Sequence, residues 1–417
     1  MKVLFVNTND ISGGAARAAM RIMRGVQQSG VEAQMFVKDK YSQSLDVIPL
    51  STYTPSSNWL FDIFKWVVQK FKNLYHMFKW HPYKYTKQNV FMSDLRHINI
   101  HGALQKIDYD IVHLHWINNR FLDIRELAKI HKPIVWTLHD SWPFCGICHV
   151  PYECKKYQTH CGVCPMLGSK KEQDLAYEIF EKKLEAYKNL DLHIVTPSRW
   201  LGDCAKKSTL FRQFPIHVIP NCIDTDKFRP LDKAETRQKL GLSLQKKYLL
   251  FGAMHVITDE NKGFNILLSA LKCLSSTNAE LIIYGTGDKL EQYTISVPYH
   301  VMGYIRSDKE MAQLCNVADV TIVPSLSENL SNTIMESLAC GTPVVAFNIG
   351  GNSDMIDHRQ NGYLAEDKNA EDLTNGIQWC LNKNADGKLG RKAREKVMET
   401  FAISIVAEQY NNLYRTL

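Results

Sequence analysis

The sequence predicts an α/β protein with two domains, each built on a parallel sheet. The clearest observation is the segment 319–347, in which two short apolar strands flank a polar loop and one helix. Both halves of the chain repeat this alternation of strands and helices, which is typical of parallel sheets covered by helices. The length of 417 residues accommodates two domains of about 200 residues each.

The composition is that of an ordinary globular protein, with 45% hydrophobic and 22% charged residues. A formal net charge of +7 suits an anionic ligand or membrane surface, but it is too weak and dispersed to indicate nucleic-acid binding. The chain begins with an apparent strand and has no apolar run long enough to span a bilayer, so we expect no signal peptide. We therefore expect a cytoplasmic protein whose eleven cysteines are reduced thiols or metal ligands.

The segment 319–347 is read as strand, loop, helix and strand. Val320–Val323 is a β-branched apolar run, and Ser331–Cys340 follows the loop with apolar residues on one helical side. Gly341 ends the helix, and Val344–Phe347 is the next buried strand. The loop and the helix start therefore lie at the carboxyl end of the sheet, where ligands bind in open α/β sheets.

Two carboxylates make this loop a candidate site. Glu328 lies in the loop and Glu336 lies eight positions later, inside the helix. A carboxylate beside a helix start can accept two hydroxyl hydrogen bonds from a ribose, and the amides of Asn329, Leu330 and Ser331 can hold a phosphate. Glu328 would then bind hydroxyls on whatever the phosphate carries. The alternative is that both glutamates simply face water.

The first strand, Val3–Asn7, is followed by a glycine pair. Gly13 and Gly14 open a helix that runs to about Ser29 and leads into strand Val31–Val37. A glycine pair between a strand and a helix start allows the backbone to come close to an anion. The glycines could equally serve only the tight turn.

Residues 57–87 form a basic aromatic insertion. Six lysines accompany one aspartate, interleaved with three tryptophans and four phenylalanines. This composition is typical of an interfacial membrane helix. The alternative is an insertion packed on the first sheet with solvated lysines.

Histidines lie on two neighbouring strands, Asp110–Trp116 and Pro133–Leu138. His139 follows the second strand directly, so it lies at the ligand edge and is the best candidate for a polar group near a reaction centre. His113 and His115 point to one face of the first strand and are expected to be core histidines.

The loop 145–165 is rich in cysteine. Four thiols have the spacing C-x5-C-x6-C-x2-C, namely Cys148, Cys154, Cys161 and Cys164. The last pair has the spacing of a zinc knuckle, so a structural zinc ion with four thiolates is predicted. Spare ligands are Cys145, His149 and His160. The alternative is a loop of free thiols.

In the second half, Tyr248–Ala253 is a strand and Lys262 precedes the next helix. Lys262 is therefore a cation near the ligand edge of the sheet. The strand Leu281–Tyr284 leads into Gly285, and Tyr304 lies in a later short apolar segment.

The run S-E-N-L-x-N-T-x-x-E-S-L-A-C-G-T-P-V-V-A around Glu328 and Glu336 resembles the E-x7-E signature of family-four retaining glycosyltransferases. The resemblance implies the GT-B architecture, in which two Rossmann-like domains with parallel sheets face a central cleft. It implies an acceptor domain at 1–196, a crossover at 197–220, a nucleotide-sugar domain at 221–399 and a returning final helix at 400–417.

The resemblance also implies residue roles. Glu336 would bind the nucleotide ribose and Glu328 the donor sugar, while His139 would face the sugar and the acceptor. Lys262 would bind the diphosphate, and the loop with Gly13 and Gly14 would face the phosphates. The segment 301–305, which contains Tyr304, resembles the one whose backbone contacts the base, and Gly285 is expected to be a further donor-binding residue.

The chain departs from the family pattern at two places. The family has an arginine where Ala253 stands, and Arg199 or Arg306 could replace it. Cys222 stands in place of a glycine in the crossover segment I-P-N-C-I-D.

The implied reaction is transfer of a sugar from a nucleotide-diphosphate sugar to a saccharide or polyprenyl-linked acceptor, with retention and without a catalytic metal. Cell-surface polysaccharide synthesis at the inner face of the plasma membrane would fit the basic aromatic insertion. Two alternatives are a nucleotide-sugar epimerase of the same architecture and a non-catalytic scaffold that binds the nucleotide sugar.

Overall fold

A computed structural model describes residues 1–53, 70–71, 74, 83, 100–252, 259–274, 278–285 and 290–417. Most of the predicted insertion at 57–87 and the position of Ala253 lie outside these residues. The chain divides into two compact units. The first unit is Met1–Ile219 with Ala407–Leu417, and the second is Pro220–Val406.

The strands alternate with helices throughout the described residues. The strands are β1 (Lys2–Asn9), β2 (Glu32–Asp39), β3 (Val47–Pro49), β4 (Ile111–Leu114), β5 (Ile134–Thr137), β6 (Leu192–Thr196), β7 (Ile216–Val218), β8 (Lys247–Gly252), β9 (Ala279–Tyr284), β10 (Tyr299–Val301), β11 (Val320–Val323), β12 (Val344–Phe347) and β13 (Gly362–Ala365). The helices are α1 (Gly14–Gln28), α2 (His101–Leu104), α3 (Leu175–Tyr187), α4 (Arg199–Lys207), α5 (Lys233–Lys239), α6 (Phe264–Lys272), α7 (Asp308–Val317), α8 (Asn332–Ala339), α9 (Asn352–Met355), α10 (Ala370–Lys383), α11 (Lys388–Thr400) and α12 (Ile403–Tyr414).

The first unit contains a seven-stranded sheet in the order β3-β2-β1-β4-β5-β6-β7, and its strands pair in parallel. The register places Val3 of β1 beside Ile111 of β4. Buried side chains of β4 and β5, such as Leu114 and Trp136, form one core with α3. Strands β2 and β3 are added on one side of β1 and strands β4 to β7 on the other, so the switch point lies between β1 and β4.

The second unit contains a six-stranded parallel sheet in the order β10-β9-β8-β11-β12-β13. Successive residues of β8 enter opposite cores, with Leu250 beside α7, α8 and α11 and Leu249 beside α6 and α10. Both faces are therefore covered, which explains why β12, and β11 apart from Thr321, are apolar on both faces rather than alternating.

The predicted elements around the central loop are confirmed by the structure. β11 and β12 have the predicted bounds, and α8 begins and ends one residue inside the predicted range. Gly341 follows this helix with a φ of 75°, a left-handed conformation that glycine adopts without strain. No helix in the described part of the chain is long and apolar enough to cross a membrane.

Candidate functional site

The switch point of the second sheet lies between β8 and β11, because β9 follows on the other side of β8 and β12 on the other side of β11. Lys262 lies in the connection after β8, and Glu328 lies in the loop after β11. The two residues, 66 positions apart in sequence, therefore meet at the ligand edge of the sheet.

Two glycines bring these loops together. Gly263 has a φ of 68°, and a Cβ on it would overlap the carbonyl oxygen of Pro324 at the end of β11. Gly350 has a φ of 52°, and a Cβ on it would overlap the carbonyl oxygen of Glu328. Only glycine fits at either position, because each combines a left-handed backbone with a close backbone approach.

Lys262 and Glu328 form an ion pair with 3.2 Å between Nζ and Oε1. The two side chains keep 25% and 16% of their surface exposed. The Glu328 carboxylate raises the pKa of Lys262, although burial opposes this. Asn261 supports the loop by donating its side-chain amide to the Ser327 carbonyl at 3.0 Å. The lysine is thus a fixed cation beside a partly exposed carboxylate.

Glu336 is buried on α8, with 5% of its surface exposed. The alternative that both glutamates face water is therefore wrong for Glu336. Ser331 occupies the N-cap position of α8, and its side chain makes no capping hydrogen bond. Ser337, next to Glu336, donates to Thr321 of β11 at 2.9 Å and fixes the helix on the sheet. Glu336 is therefore held within the first two turns of a helix that starts at the ligand edge.

The remaining residues predicted to bind the donor lie either at the start of α8 or after strands β9 and β10. Leu330 and Ser331 are buried at the start of α8, and Asn329 precedes them in the loop. Gly285 follows β9 with a φ of 82° and donates its N–H to Gly303 at 2.7 Å. Tyr304 and Arg306 are exposed after β10, the edge strand three positions from β11.

In the first unit, four predicted residues follow strands β1, β5 and β6 at the carboxyl edge of the parallel sheet. Gly13 and Gly14 follow β1, His139 follows β5, and Arg199 follows β6. Gly13 is the N-cap of α1 with a φ of 90°, and a Cβ there would meet nothing within 4 Å. Glycine is favoured at position 13 because of its left-handed backbone conformation, and not because neighbouring atoms leave no room for a side chain.

Two sets of hydrogen bonds surround His139 and the core histidines, and they meet where the His113 and His115 ring centroids lie 4.3 Å apart. His139 Nε2 lies 3.0 Å from His115 Nδ1, and His113 Nε2 lies 2.8 Å from the Thr137 hydroxyl. Both core histidines are buried, as expected from their shared face. The final helix α12 completes the network, because the Tyr414 hydroxyl lies 2.6 Å from His113 Nδ1 and the Tyr410 hydroxyl lies 2.9 Å from Thr137 Oγ1. These tyrosine partners could not be predicted from the sequence.

Burial keeps this network uncharged. It lowers the pKa of His139 from its ordinary value of 6.5 to about 4, and the neighbouring Asp140 only partly opposes this. Burial also lowers the pKa of His113 and His115 well below the usual range, and the nearby histidines add to the effect. The Nε2 atom of His115 has no hydrogen-bond partner among the described residues. His139 is therefore a neutral group that can donate or accept one hydrogen bond at neutral pH.

Asp140 fixes the end of β5 to the cysteine-rich loop. Its carboxylate accepts the Trp116 indole N–H at 3.0 Å and the Trp142 backbone N–H at 2.9 Å, and His149 Nδ1 lies 3.1 Å from it. Burial opposes ionisation, but these hydrogen bonds outweigh it and lower the pKa of Asp140. This structural role was missed in the sequence, where Asp140 was only part of the H-D pattern.

The loop 145–165 gathers its thiols around one small cavity. The cavity is lined by all five of the loop's cysteines, Cys145, Cys148, Cys154, Cys161 and Cys164. Two of the predicted spare ligands are otherwise engaged: His149 contacts Asp140, and both ring nitrogens of His160 have partners at 2.6 Å. Within the described ranges, no three His, Cys, Asp or Glu side chains are arranged as ligands of an ion.

Comparison with known families decides the kind of protein. The family model described as Glycosyltransferase Family 4 matches residues 12–227, just over half of the chain. The chain belongs to glycosyltransferase family 4. A second model, described as Glycosyl transferases group 1, matches residues 245–383. The resemblance noted at the E-x7-E motif is thus confirmed, and family membership supports a transferase activity.

Two relatives are similar over most of this glycosyltransferase. The chain is 27% identical over 282 residues to an uncharacterized glycosyltransferase of Methanocaldococcus jannaschii, covering 64% of this chain and 70% of that protein. It is 22% identical over 335 residues to the putative colanic acid biosynthesis glycosyl transferase WcaC of Escherichia coli, covering 75% and 76%.

Solved structures show the same fold. A sucrose-phosphate synthase from Thermosynechococcus elongatus aligns with a TM-score of 0.67 at 18% identity, covering 100% of this chain and 98% of that one. The Anabaena protein Alr3699/HepE, crystallised in complex with UDP-glucose, aligns with a TM-score of 0.64 at 17% identity over 100% of both chains. The predicted GT-B fold class is confirmed.

Proposed function

We propose that this glycosyltransferase moves a sugar, with retention, from a nucleotide-diphosphate sugar to a saccharide acceptor. The observation that carries the proposal is the ion pair of Lys262 and Glu328 beside the start of α8, with Glu336 buried in that helix. A cation and helix-start amides are the groups that bind a diphosphate. Carboxylates nearby are suited to the hydroxyls of a ribose and a pyranose.

Each residue has a distinct role in this proposal. Glu336 binds the ribose hydroxyls, while Lys262 and the amides near Leu330 and Ser331 neutralise the diphosphate. A donor's diphosphate competes with Glu328 for Lys262, which releases the Glu328 carboxylate toward the sugar. Preorganised charge of this kind stabilises the leaving phosphate as the anomeric C–O bond breaks.

In this proposal the anomeric configuration is retained because the acceptor attacks the sugar from the same face that the leaving diphosphate departs from. The anomeric centre becomes oxocarbenium-like, the acceptor oxygen forms the new bond there, and an oxygen of the departing diphosphate takes the acceptor's proton. Lys262 and the helix amides carry the charge, so we expect no catalytic metal. Arg199 and Arg306, both exposed, are the candidates for the family's missing arginine.

The first unit is proposed to bind the acceptor. Gly13 and His139 lie at the carboxyl edge of its sheet, and neutral His139 can hydrogen bond a hydroxyl. The segments at Gly285 and Tyr304 are proposed to lie near the base. The name of the colanic acid relative supports a cell-surface saccharide acceptor, which we propose to be lipid-linked and used at the cytoplasmic membrane face.

Donor turnover tests the proposal. The purified chain is screened for nucleotide release from UDP- and GDP-sugars with and without a lipid-linked saccharide, and the anomeric configuration of the product is read by NMR. Glu328→Ala should abolish transfer but leave nucleotide binding largely intact. Glu336→Ala should weaken nucleotide binding about tenfold or more, the value of one hydrogen bond to a charged group.

The matched control is Glu395→Ala, because Glu395 is exposed on α11. It should leave both transfer and binding unchanged. Release of an altered free sugar without acceptor would instead indicate an epimerase, and binding without any turnover would indicate a scaffold. Transfer unaffected by Glu328→Ala, or nucleotide affinity unaffected by Glu336→Ala, would contradict the assigned roles.

Membrane association is tested separately with vesicles. The chain should sediment with vesicles of anionic lipid at low salt and should not do so with purely zwitterionic vesicles. Equal recovery in the supernatant with both kinds of vesicle would remove the support for a peripheral membrane location.

A further inference from the structure

The cysteine-rich loop contains a cavity of about 20 Å³ that is lined by five cysteines together with mainly apolar residues. A cavity needs about 10–15 Å³ to hold one water-sized body, so this space suits a single ion or water. A buried water requires two to four good hydrogen-bond partners, whereas thiols are weak donors and acceptors. Thiolates are the preferred ligands of zinc. The size and chemistry of the cavity therefore favour a soft metal ion over water.

The loop also has little regular secondary structure. Between Cys145 and Gly168 its only helical pieces are the 3₁₀ turns Lys156–Gln158 and Pro165–Leu167. Val163, between Cys161 and Cys164, has a φ of 43°. A β-branched residue in the left-handed region is strained, and such a conformation persists only where the surroundings hold it. Val163 donates its N–H to the Lys171 carbonyl at 2.9 Å and accepts from Lys156 Nζ at 2.9 Å. An ion bound to the cysteines on both sides of Val163 would add a further restraint.

Nearby groups are arranged to stabilise thiolate charge. Gly146 donates its N–H to Cys161 Sγ at 3.2 Å, and a Cβ on Gly146 would overlap the Ala176 carbonyl oxygen. The fully buried Lys183 ammonium binds the carbonyl oxygens of Cys145 and Gly146 at 2.8 and 3.1 Å. Four thiolates on one Zn²⁺ carry a net charge of −2, so a buried cation and an N–H donor beside them reduce the cost of burying that charge.

We propose that Cys148, Cys154, Cys161 and Cys164 bind one structural zinc ion. Binding releases four protons, one from each thiol, and forms four Zn–S bonds in a closed site. The thiols line the cavity without forming a ligand group among the described residues, so the ion draws them inward by side-chain rotation. Cys145 is the fifth lining thiol and lies outside the C-x5-C-x6-C-x2-C spacing that defines the four proposed ligands.

Metal content tests the proposal without any measurement of turnover. The chain is expressed without a histidine tag in zinc-supplemented medium, desalted, and analysed by mass spectrometry for zinc per chain. The expected ratio is one zinc per chain, falling to the level of the buffer blank in the double variant Cys161→Ser with Cys164→Ser. The matched control is Cys273→Ser, whose thiol is exposed in the second unit. This control should keep its zinc.

A second measurement uses the unaltered chain, in case the double variant fails to fold. Zinc is removed with a chelator, cobalt(II) is added, and the ligand-field absorption is recorded. Bands typical of tetrahedral cobalt with four sulphur ligands would support the site. Zinc at blank level in the unaltered chain, zinc retained by the double variant, or a cobalt spectrum typical of oxygen and nitrogen ligands would overturn it.

Discussion

Acidification below pH 6.5 is expected to destabilise the first unit through its buried histidines. His139 is the most accessible member of the network, and its pKa is lowered to about 4 in the folded chain, chiefly by burial. Protons therefore bind the unfolded chain before they bind the folded one. The contribution of neutral His139 to the free energy of unfolding is fully present above the unfolded-state pKa of 6.5. It decreases as the pH falls below that value and stops changing below about pH 4.

The size of the loss follows from the two pKa values. A pKa difference of one is worth about 1.4 kcal/mol, so His139 alone accounts for about 3 kcal/mol at pH 4 and for about 2 kcal/mol of the loss between pH 7.5 and pH 5. His113 and His115 add to the same loss, because their pKa values are also lowered. Asp140 opposes it slightly by favouring the charged imidazole.

The assay is urea denaturation followed by tryptophan fluorescence at several pH values from 7.5 to 4.5. Because other groups also titrate, the informative quantity is the difference between the unaltered chain and His139→Gln, which keeps a hydrogen-bonding group at this position. Between pH 7.5 and pH 5, the free energy of unfolding should decrease in both proteins, and the decrease should be about 2 kcal/mol smaller in the variant than in the unaltered chain. Parallel pH curves for the two proteins would refute the argument that His139 is held neutral.

Two further predictions concern contacts that the sequence did not reveal. Tyr414→Phe removes the buried hydroxyl bound to His113 and should lower the free energy of unfolding by about 1–3 kcal/mol; an unchanged urea midpoint would contradict this. Gly350→Ala should weaken nucleotide-sugar binding in calorimetry, because its Cβ would displace the Glu328 backbone. The control Gly387→Ala has a similar positive φ but meets only the Arg391 side chain at 3.3 Å, so equal loss of affinity in both variants would contradict a local effect on the donor loop.

Local sequence was sufficient to predict the strand–loop–helix–strand unit of the second domain. β11 and β12 are short apolar runs, and Gly341 ends α8 where a left-handed residue is required. These signals depend only on neighbours in sequence, and parallel sheets then place the loop at the ligand edge. The placement of Glu328 and Glu336 at one helix start followed from the same local pattern.

Contacts between distant segments could not be predicted in the same way. Lys262 was recognised as a cation at the edge, but its pairing with Glu328 depends on which strands are neighbours. The Thr137–Tyr410 contact joins residues 273 positions apart, and no periodicity reports such a pair. Gly13 and Gly350 are each the first residue of a glycine pair, yet of these two only Gly350 lies against another backbone segment. Such close contacts arise only in the folded chain and cannot be read from neighbouring residues.

The hydrogen bonds of Asp140 make the cysteine-rich loop and the His139 edge a single structural element. One carboxylate accepts from Trp116 at the end of β4 and from Trp142 at the entry to the loop, and it also contacts His149, directly after Cys148. A loop with so little regular structure cannot fix Asp140 unless the loop itself is held. Restraint of the loop therefore also restrains His139, the residue adjacent to Asp140. The position of the polar group at the sheet edge thus depends on how firmly the thiol-rich loop is held.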